Sequence, residues 1–187
     1  MLSPWRFLLL LQGGLLLLGA SGMLLLGFPF QGRHPLAETL AGMVLLLFLG
    51  GLEGLFARLF PASFQEAERL HWELGRALKA SGLGPPALLL LALLSGVAEE
   101  VFFRGFLQNL FFLKLGAWAL PLQALLFALL HPAPKKAFAY TLYTGAAGLL
   151  LGLAYLLSGS LIPGVLAHVL HNARGFYEAW HGPKRGG

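Results

Sequence analysis

Pro86–Leu113 reads PALLLLALLSGVAEEVFFRGFLQNLFFL, a run of leucine, phenylalanine and small residues into which two adjacent carboxylates and a guanidinium are set, Glu99, Glu100 and Arg104. The run exceeds the roughly 20 residues that cross a hydrocarbon core, so it predicts a membrane helix. One ionised side chain near the middle of a bilayer costs about 2.5–3.5 kcal/mol. Three of them so close together require either mutual compensation or a chemical task.

The rest of the chain agrees with a membrane setting. Of 187 residues, 57% are hydrophobic and 11% are charged, whereas a soluble domain carries about 25% charged residues. The chain has no cysteine, which removes disulfides, thiolate metal sites and cysteine nucleophiles. Aspartate is absent as well, which excludes an aspartyl intramembrane protease. The formal charge of +5 comes from cations scattered at the ends of apolar runs rather than gathered on one face, a pattern of membrane topology and not of nucleic-acid binding.

Apolar runs near 7–29, 36–59, 86–113, 117–131, 137–157 and 161–180 predict an all-α, polytopic membrane bundle of about six transmembrane helices. The first run is too long for a signal-peptide core and lacks an A-x-A-like site after it, so it is expected to stay as an anchor. Between the second and third runs, Ser63 and Glu66 have capping-box spacing. Phe64, Ala67, Leu70, Leu74 and Leu78 follow at helical spacing, opposite Glu66, Glu68, Arg69, Glu73, Arg76 and Lys79. This predicts one interfacial amphipathic helix, anchored by Trp72 and lying on the leaflet. The expected organisation is a single membrane domain: two helices over 1–62, the interfacial helix over 63–82 and a four-helix core over 85–181. With the N-terminus inside, Arg6, Arg58, Arg69, Arg76, Lys79, Lys135, Lys136, Arg174, Lys184 and Arg185 fall on the cytoplasmic side. Only Arg33 and Lys114 fall outside, so the positive-inside rule favours an N-in, C-in protein.

Helical phase sorts the polar groups. Glu100 and Arg104 share a face at i, i+4 with glutamate first, the favourable order for an ion pair. Glu99 is turned by about 100° and has no evident partner. A carboxylate desolvated in this way is suited to accept a proton. His131 follows Phe127 by four residues on the next run; His168 and Asn172 are likewise four apart on the last, with His171 on their flank. His131 could share a water with Glu99, while His168 and Asn172 offer donors to an oxyanion. Phe127 is expected to shape the cavity wall, and His171 to be a packing hydrogen bonder. Arg174, Glu178, His181 and Glu53 are expected to be hydrated at the interface. Together these parts suit the hydrolysis of an amide bond within the membrane.

Glu99-Glu100-x-x-x-Arg104, Phe127-x-x-x-His131 and His168-x-x-x-Asn172, in that order on three separate runs, resemble the CPBP family of intramembrane endopeptidases. This family is also called the ABI or CAAX protease family and includes the CAAX prenyl endopeptidases. The resemblance spans roughly residues 86–180 and implies a glutamate-dependent endopeptidase with catalytic Glu99, His131, His168 and Asn172, supported by Glu100, Arg104 and Phe127. It implies a membrane-embedded or lipidated peptide substrate within the bilayer, and no cofactor. A metal-dependent version of the same site would hold a divalent metal such as zinc on Glu99, His131 and His168. Buried groups of these kinds would also suit a transporter, whose polar path would cross both leaflets, or a silent scaffold. No H-E-x-x-H run occurs, and Gly19-Ala20-Ser21-Gly22 matches the G-x-S-G of serine intramembrane proteases only in a helix where small residues serve packing. Depth arithmetic requires the fourth helix to end below the interface, so that the loop around Pro132 and Pro134 borders a hydrated, cytoplasm-facing cavity bounded by the four C-terminal helices.

Overall fold

A computed structural model describes residues 3–29, 32 and 34–182. Arg33, Lys184 and Arg185, used above to count charges, lie outside the described residues. Among the described residues the chain is helical, without a strand. The order is α1 (Pro4–Leu26), α2 (Pro35–Leu59), α3 (Pro61–Ala80), α4 (Pro85–Glu100), a π-helical stretch (Val101–Gln108), α5 (Asn109–Leu115), α6 (Ala119–Leu129), α7 (Phe138–Ser158) and α8 (Ile162–His181).

Prolines mark the starts. Pro4, Pro35, Pro61 and Pro85 each open a helix, where a missing N–H costs nothing and the fixed φ suits the first turn. Gly27 and Gly159 close α1 and α7 in the left-handed region, at φ 70° and 64°. Ser63 does not cap α3. Pro61 starts that helix after Phe60, and the Ser63 hydroxyl instead accepts a hydrogen bond from the Ala139 backbone N–H (3.0 Å). Glu66 turns to Arg69, whose hydrogen bond holds its carboxyl below the usual carboxylate range.

Contacts between helices give their directions. Gln12, Gly19 and Gly22 of α1 lie beside Glu99, Phe102 and Phe106, so α1 and α4 run parallel. Arg104 and Gln108 reach the carbonyls of Gly148 and Gly152, so α7 runs with them. Glu100 meets His168 and Ser95 meets Asn172, so α8 runs the other way. Gln123 reaches Gly148 while Ala128 meets Gly145, which makes α6 antiparallel to α7. Directions therefore alternate from α4 through α6 and α7 to α8.

Among the described residues, four stretches are long and apolar enough to cross a membrane: Pro4–Leu26, Pro35–Leu59, Pro85–Leu129 and Lys135–Ser158. The six expected spans are thus supported only in part. The third and fourth form one apolar stretch bent at Gly116 (φ 55°), and α8 is not among the four. The reason is position. α8 packs against α2, α3, α4 and α7, so His168, His171 and Asn172 face protein there and it needs no lipid-compatible surface all round, while Arg174, Glu178 and His181 stay exposed toward its end. The outward faces are different: Leu25, Leu47 and Leu157 are 85%, 76% and 78% exposed, a surface only lipid would cover.

The amphipathic helix α3 also departs from expectation. Its apolar stripe faces protein rather than the leaflet: Phe64 packs on Tyr140 and Tyr143, and Leu78 on Leu88 and Leu91. Lys79 adds a hydrogen bond to the Trp180 carbonyl (3.2 Å) and lies over its ring. α3 fills the end of the bundle that the short α6 and the late-starting α7 leave open.

α1 is fixed at close range. A Cβ on Gly19 would stand 2.7 Å from the Phe102 Cα, so only glycine admits this approach. Gly22 faces Phe106 in the same seam, while Ser21 is exposed, in keeping with a packing role for the Gly19–Gly22 run. Gly19→Leu is expected to destabilise the protein by about 1–3 kcal/mol through overpacking. Gly14→Ala, where a Cβ meets nothing within 4 Å, is expected to be neutral. Thermal unfolding in detergent, followed by tryptophan fluorescence, compares the two.

Candidate active site

The α-helix carrying Glu99 and Glu100 changes at Val101 into a π-helix that lasts through Gln108. Such insertions cost regular hydrogen bonding and concentrate at functional sites. Asn109 compensates here, its amide donating to the Gly105 carbonyl (2.8 Å) and to the Tyr155 hydroxyl (2.6 Å). The phase argument from sequence assumes an α-helix throughout. It survives for the two glutamates because α4 runs through Glu100 before the wider turns begin.

Glu100 and Arg104 form the expected pair, Nη1 to Oε1 at 2.9 Å, with both side chains almost wholly buried. Arg104 Nη2 donates to the Gly148 carbonyl (3.1 Å), and the guanidinium carbon lies 4.5 Å from the Phe127 ring centre. Glu100 does more than neutralise Arg104. Its Oε1 also accepts from His168 Nδ1 at 2.8 Å. A Cβ on Gly164 would sit 2.6 Å from the other oxygen, so α8 must offer glycine beside this carboxylate.

Glu99 is 4% exposed and points inward. Its Oε2 lies 3.5 Å from His131 Nε2 and 3.6 Å from His168 Nε2, just beyond direct hydrogen bonding, and has no other partner. Both imidazoles are oriented from behind. His131 Nδ1 lies 2.8 Å from the Phe127 carbonyl and His168 Nδ1 the same distance from Glu100, and acceptors of that kind require each Nδ1 to carry the proton. In their neutral forms both Nε2 atoms then present lone pairs toward Glu99 Oε2. Phe127 fixes the spacing, its ring centre 4.6 Å from that of His131 and 5.9 Å from that of His168.

The structure therefore brings together Glu99, His131, His168, Glu100, Arg104 and Phe127. Asn172 stands apart, donating to Ser95 Oγ (2.9 Å), one turn before Glu99, and it shares no hydrogen bond with the carboxylate. His171 accepts or donates at the Tyr143 hydroxyl (2.9 Å), the expected packing contact. Arg174 is half exposed and pairs with Glu53 and, at 3.7 Å, with Glu178, so Glu53 has an ionic partner where hydration alone was expected.

The expectation that Glu99 lacks a partner fails. Gln12 of α1 donates from Nε2 to Glu99 Oε1 at 2.7 Å, with both side chains buried. The sequence carries a signal for this, a single amide in the run LLLLQGGLLLL, costly in hydrocarbon unless it is bonded. A census of ionisable groups passes over it.

A cavity of about 310 Å³ opens on Glu99, Phe103, Leu130, His131, Pro132 and Tyr140. Its other wall comes from Phe7, Leu8, Leu11, Gln12 and Leu15 of α1 and from His71 of α3, so the four C-terminal helices alone do not bound it. Burial pushes the His71 imidazole below its ordinary value, and its Nε2 lies 3.4 Å from the Tyr140 hydroxyl. Among the described residues no group of three His, Cys, Asp or Glu side chains is arranged to hold a metal ion.

The profile of the type II CAAX prenyl endopeptidase Rce1-like family matches residues 80–174, about half of the chain. The chain belongs to this family. The match takes in Glu99, Glu100, Arg104, Phe127, His131, His168 and Asn172, and leaves α1, α2 and nearly all of α3 outside. No curated protein and no solved structure matches the chain. As an Rce1-like protein with several membrane-length apolar stretches, it is an integral membrane protein of a hydrolase family.

The Arg104 pair yields a stability prediction. Arg104→Met strands a buried carboxylate and is expected to cost about 3–5 kcal/mol. Adding Glu100→Gln to it is expected to restore part of that loss, a coupling measured by a double-mutant cycle of thermal unfolding.

Proposed function

We propose that this Rce1-like protein is an intramembrane endopeptidase that cleaves a peptide bond in a membrane-associated, CAAX-like chain with water activated at Glu99. The observation that carries this reading is the convergence of Glu99 Oε2 with the Nε2 atoms of His131 and His168, at 3.5 and 3.6 Å, beside a largely apolar cavity. A water bound there donates one hydrogen to Oε2 and the other to an imidazole, which leaves an oxygen lone pair for the substrate carbonyl carbon.

In the first step Glu99 takes the proton of the water as the new C–O bond forms, and the carbonyl oxygen becomes an oxyanion. In the second, Glu99 returns that proton to the amide nitrogen as the C–N bond breaks, giving a carboxylic acid and an amine. His168 donates to the oxyanion from Nε2 only when doubly protonated, because Nδ1 is already committed to Glu100. Glu100, itself held by Arg104, accepts from the other ring nitrogen and fixes the orientation of the imidazole. Asn172 serves the oxyanion only by giving up its hydrogen bond to Ser95.

The cavity wall at His71 and Pro132 belongs to the end of the bundle that bears Arg58, Arg69, Arg76, Lys79, Lys135 and Lys136. This supports an N-in arrangement with the site open to the cytoplasm. The α6 helix, eleven residues long, ends just before His131, which lies 3.5 Å from Glu99, and this supports a helix that stops short of the interface.

Cleavage of farnesylated and unmodified CAAX-like peptides in liposomes tests the reading. Glu99→Ala is expected to lose activity by about 10²–10⁴-fold, as befits a lost general base, far more than any fall in folded protein read from its melting profile. Activity that persists in Glu99→Ala refutes the assignment. In the wild type, activity is expected to survive a chelator; loss with rescue by zinc transfers Glu99, His131 and His168 to the metal-holding role.

A further inference from the structure

We propose that Gln12 is the positioning residue of the Glu99 carboxylate, so that α1, outside the family-matched segment, is a working part of the site. This rests on Glu99 being the general base. The terminal torsion of a glutamate is broad and roughly two-fold, so packing alone leaves its two oxygens free to exchange places. Here they are unlike. Oε1 accepts from Gln12 Nε2 at 2.7 Å, whereas Oε2, without a hydrogen bond, faces the two imidazoles. A carboxylate only accepts, so the Gln12 amide must present its NH2 to Glu99. Its own oxygen has no hydrogen-bond partner among the described residues, and the charge-assisted hydrogen bond on the other side offsets the cost of burying the amide.

Gln12 is 7% exposed and lies on the face of α1 that meets Glu99, where a buried amide needs a partner. The closest backbone approach comes about two turns later, at Gly19 against Phe102, with Met23 against Gly105 one turn beyond. That seam sets the depth of α1 along α4 and delivers the amide to Glu99. Gln12 also lines the cavity between Leu11 and Leu15, where an apolar residue would have completed the wall without a buried polar group.

The test uses the full chain in liposomes with a farnesylated CAAX-like peptide. Gln12→Met keeps size and removes the donor. It is expected to lower kcat on the order of tenfold or more, with KM within about twofold. In a Glu99→Ala background the same change is expected to leave the residual rate unaltered, because Gln12 acts through Glu99. Infrared difference spectra against Glu99→Ala, which need no turnover, are expected to show the Glu99 carboxylate stretch displaced in Gln12→Met. If Gln12→Met keeps wild-type kcat and an unmoved band while Glu99→Ala is inactive, the positioning role falls and the base assignment stands. A Gln12→Met effect equal in both backgrounds, with a lowered melting temperature, makes Gln12 structural and overturns the proposal. Full activity of Glu99→Ala removes the base assignment itself, whatever Gln12 does.

Discussion

A guanidinium with no exposure to solvent, in a chain that faces lipid, can exist only if its surroundings are built for it. Arg104 is that group. Glu100 meets its charge, the Gly148 carbonyl takes a second N–H, and the Phe127 face covers the cation. These partners lie on α4, α7 and α6, and Glu100 reaches α8 through His168. Four helices are thereby referred to one ion. Replacing such a pair by apolar residues is often neutral for stability, so its retention here goes with the imidazole it holds rather than with the fold alone.

The two neighbouring glutamates consequently have different electrostatic lives. Glu100 holds a guanidinium and an imidazole on one oxygen, turns the other to the small face of Gly164, and does not line the cavity. Glu99, one residue earlier, keeps one oxygen uncommitted beside the cavity. The same α-helical turn that separates them by about 100° sets one against Arg104 and the other toward the cavity. The π-helical stretch begins only after both are placed.

Much of this is legible in the sequence, for physical reasons. Leucine runs and the cost of buried charge announce membrane helices, and i, i+4 spacing announces the Glu100–Arg104 pair. What stays hidden depends on tertiary contact. The sequence pattern of α3 is that of an interfacial helix, because an apolar stripe looks the same whether lipid or protein receives it; only the fold places Phe64 against Tyr143. Ser63 and Glu66 have capping-box spacing, yet Pro61 fixes the start earlier and Ala139 claims the hydroxyl. Gln12 escapes a sequence reading because its partner is 87 residues away. The π-helix leaves no periodicity that Val101–Gln108 would betray on its own.

The short α6 has a consequence for the lipid around it. Eleven residues rise about 16 Å, roughly half of a 30 Å hydrocarbon slab. Along that edge the bilayer meets a helix it cannot match, and hydrophobic mismatch of this sign is relieved by thinning. Thinning of that kind is expected to draw head groups and their water toward His131 and the Pro132–Pro134 turn. On the proposed reading, a deep carboxylate would then be hydrated by a locally shortened membrane, with no need for a pore that would breach it.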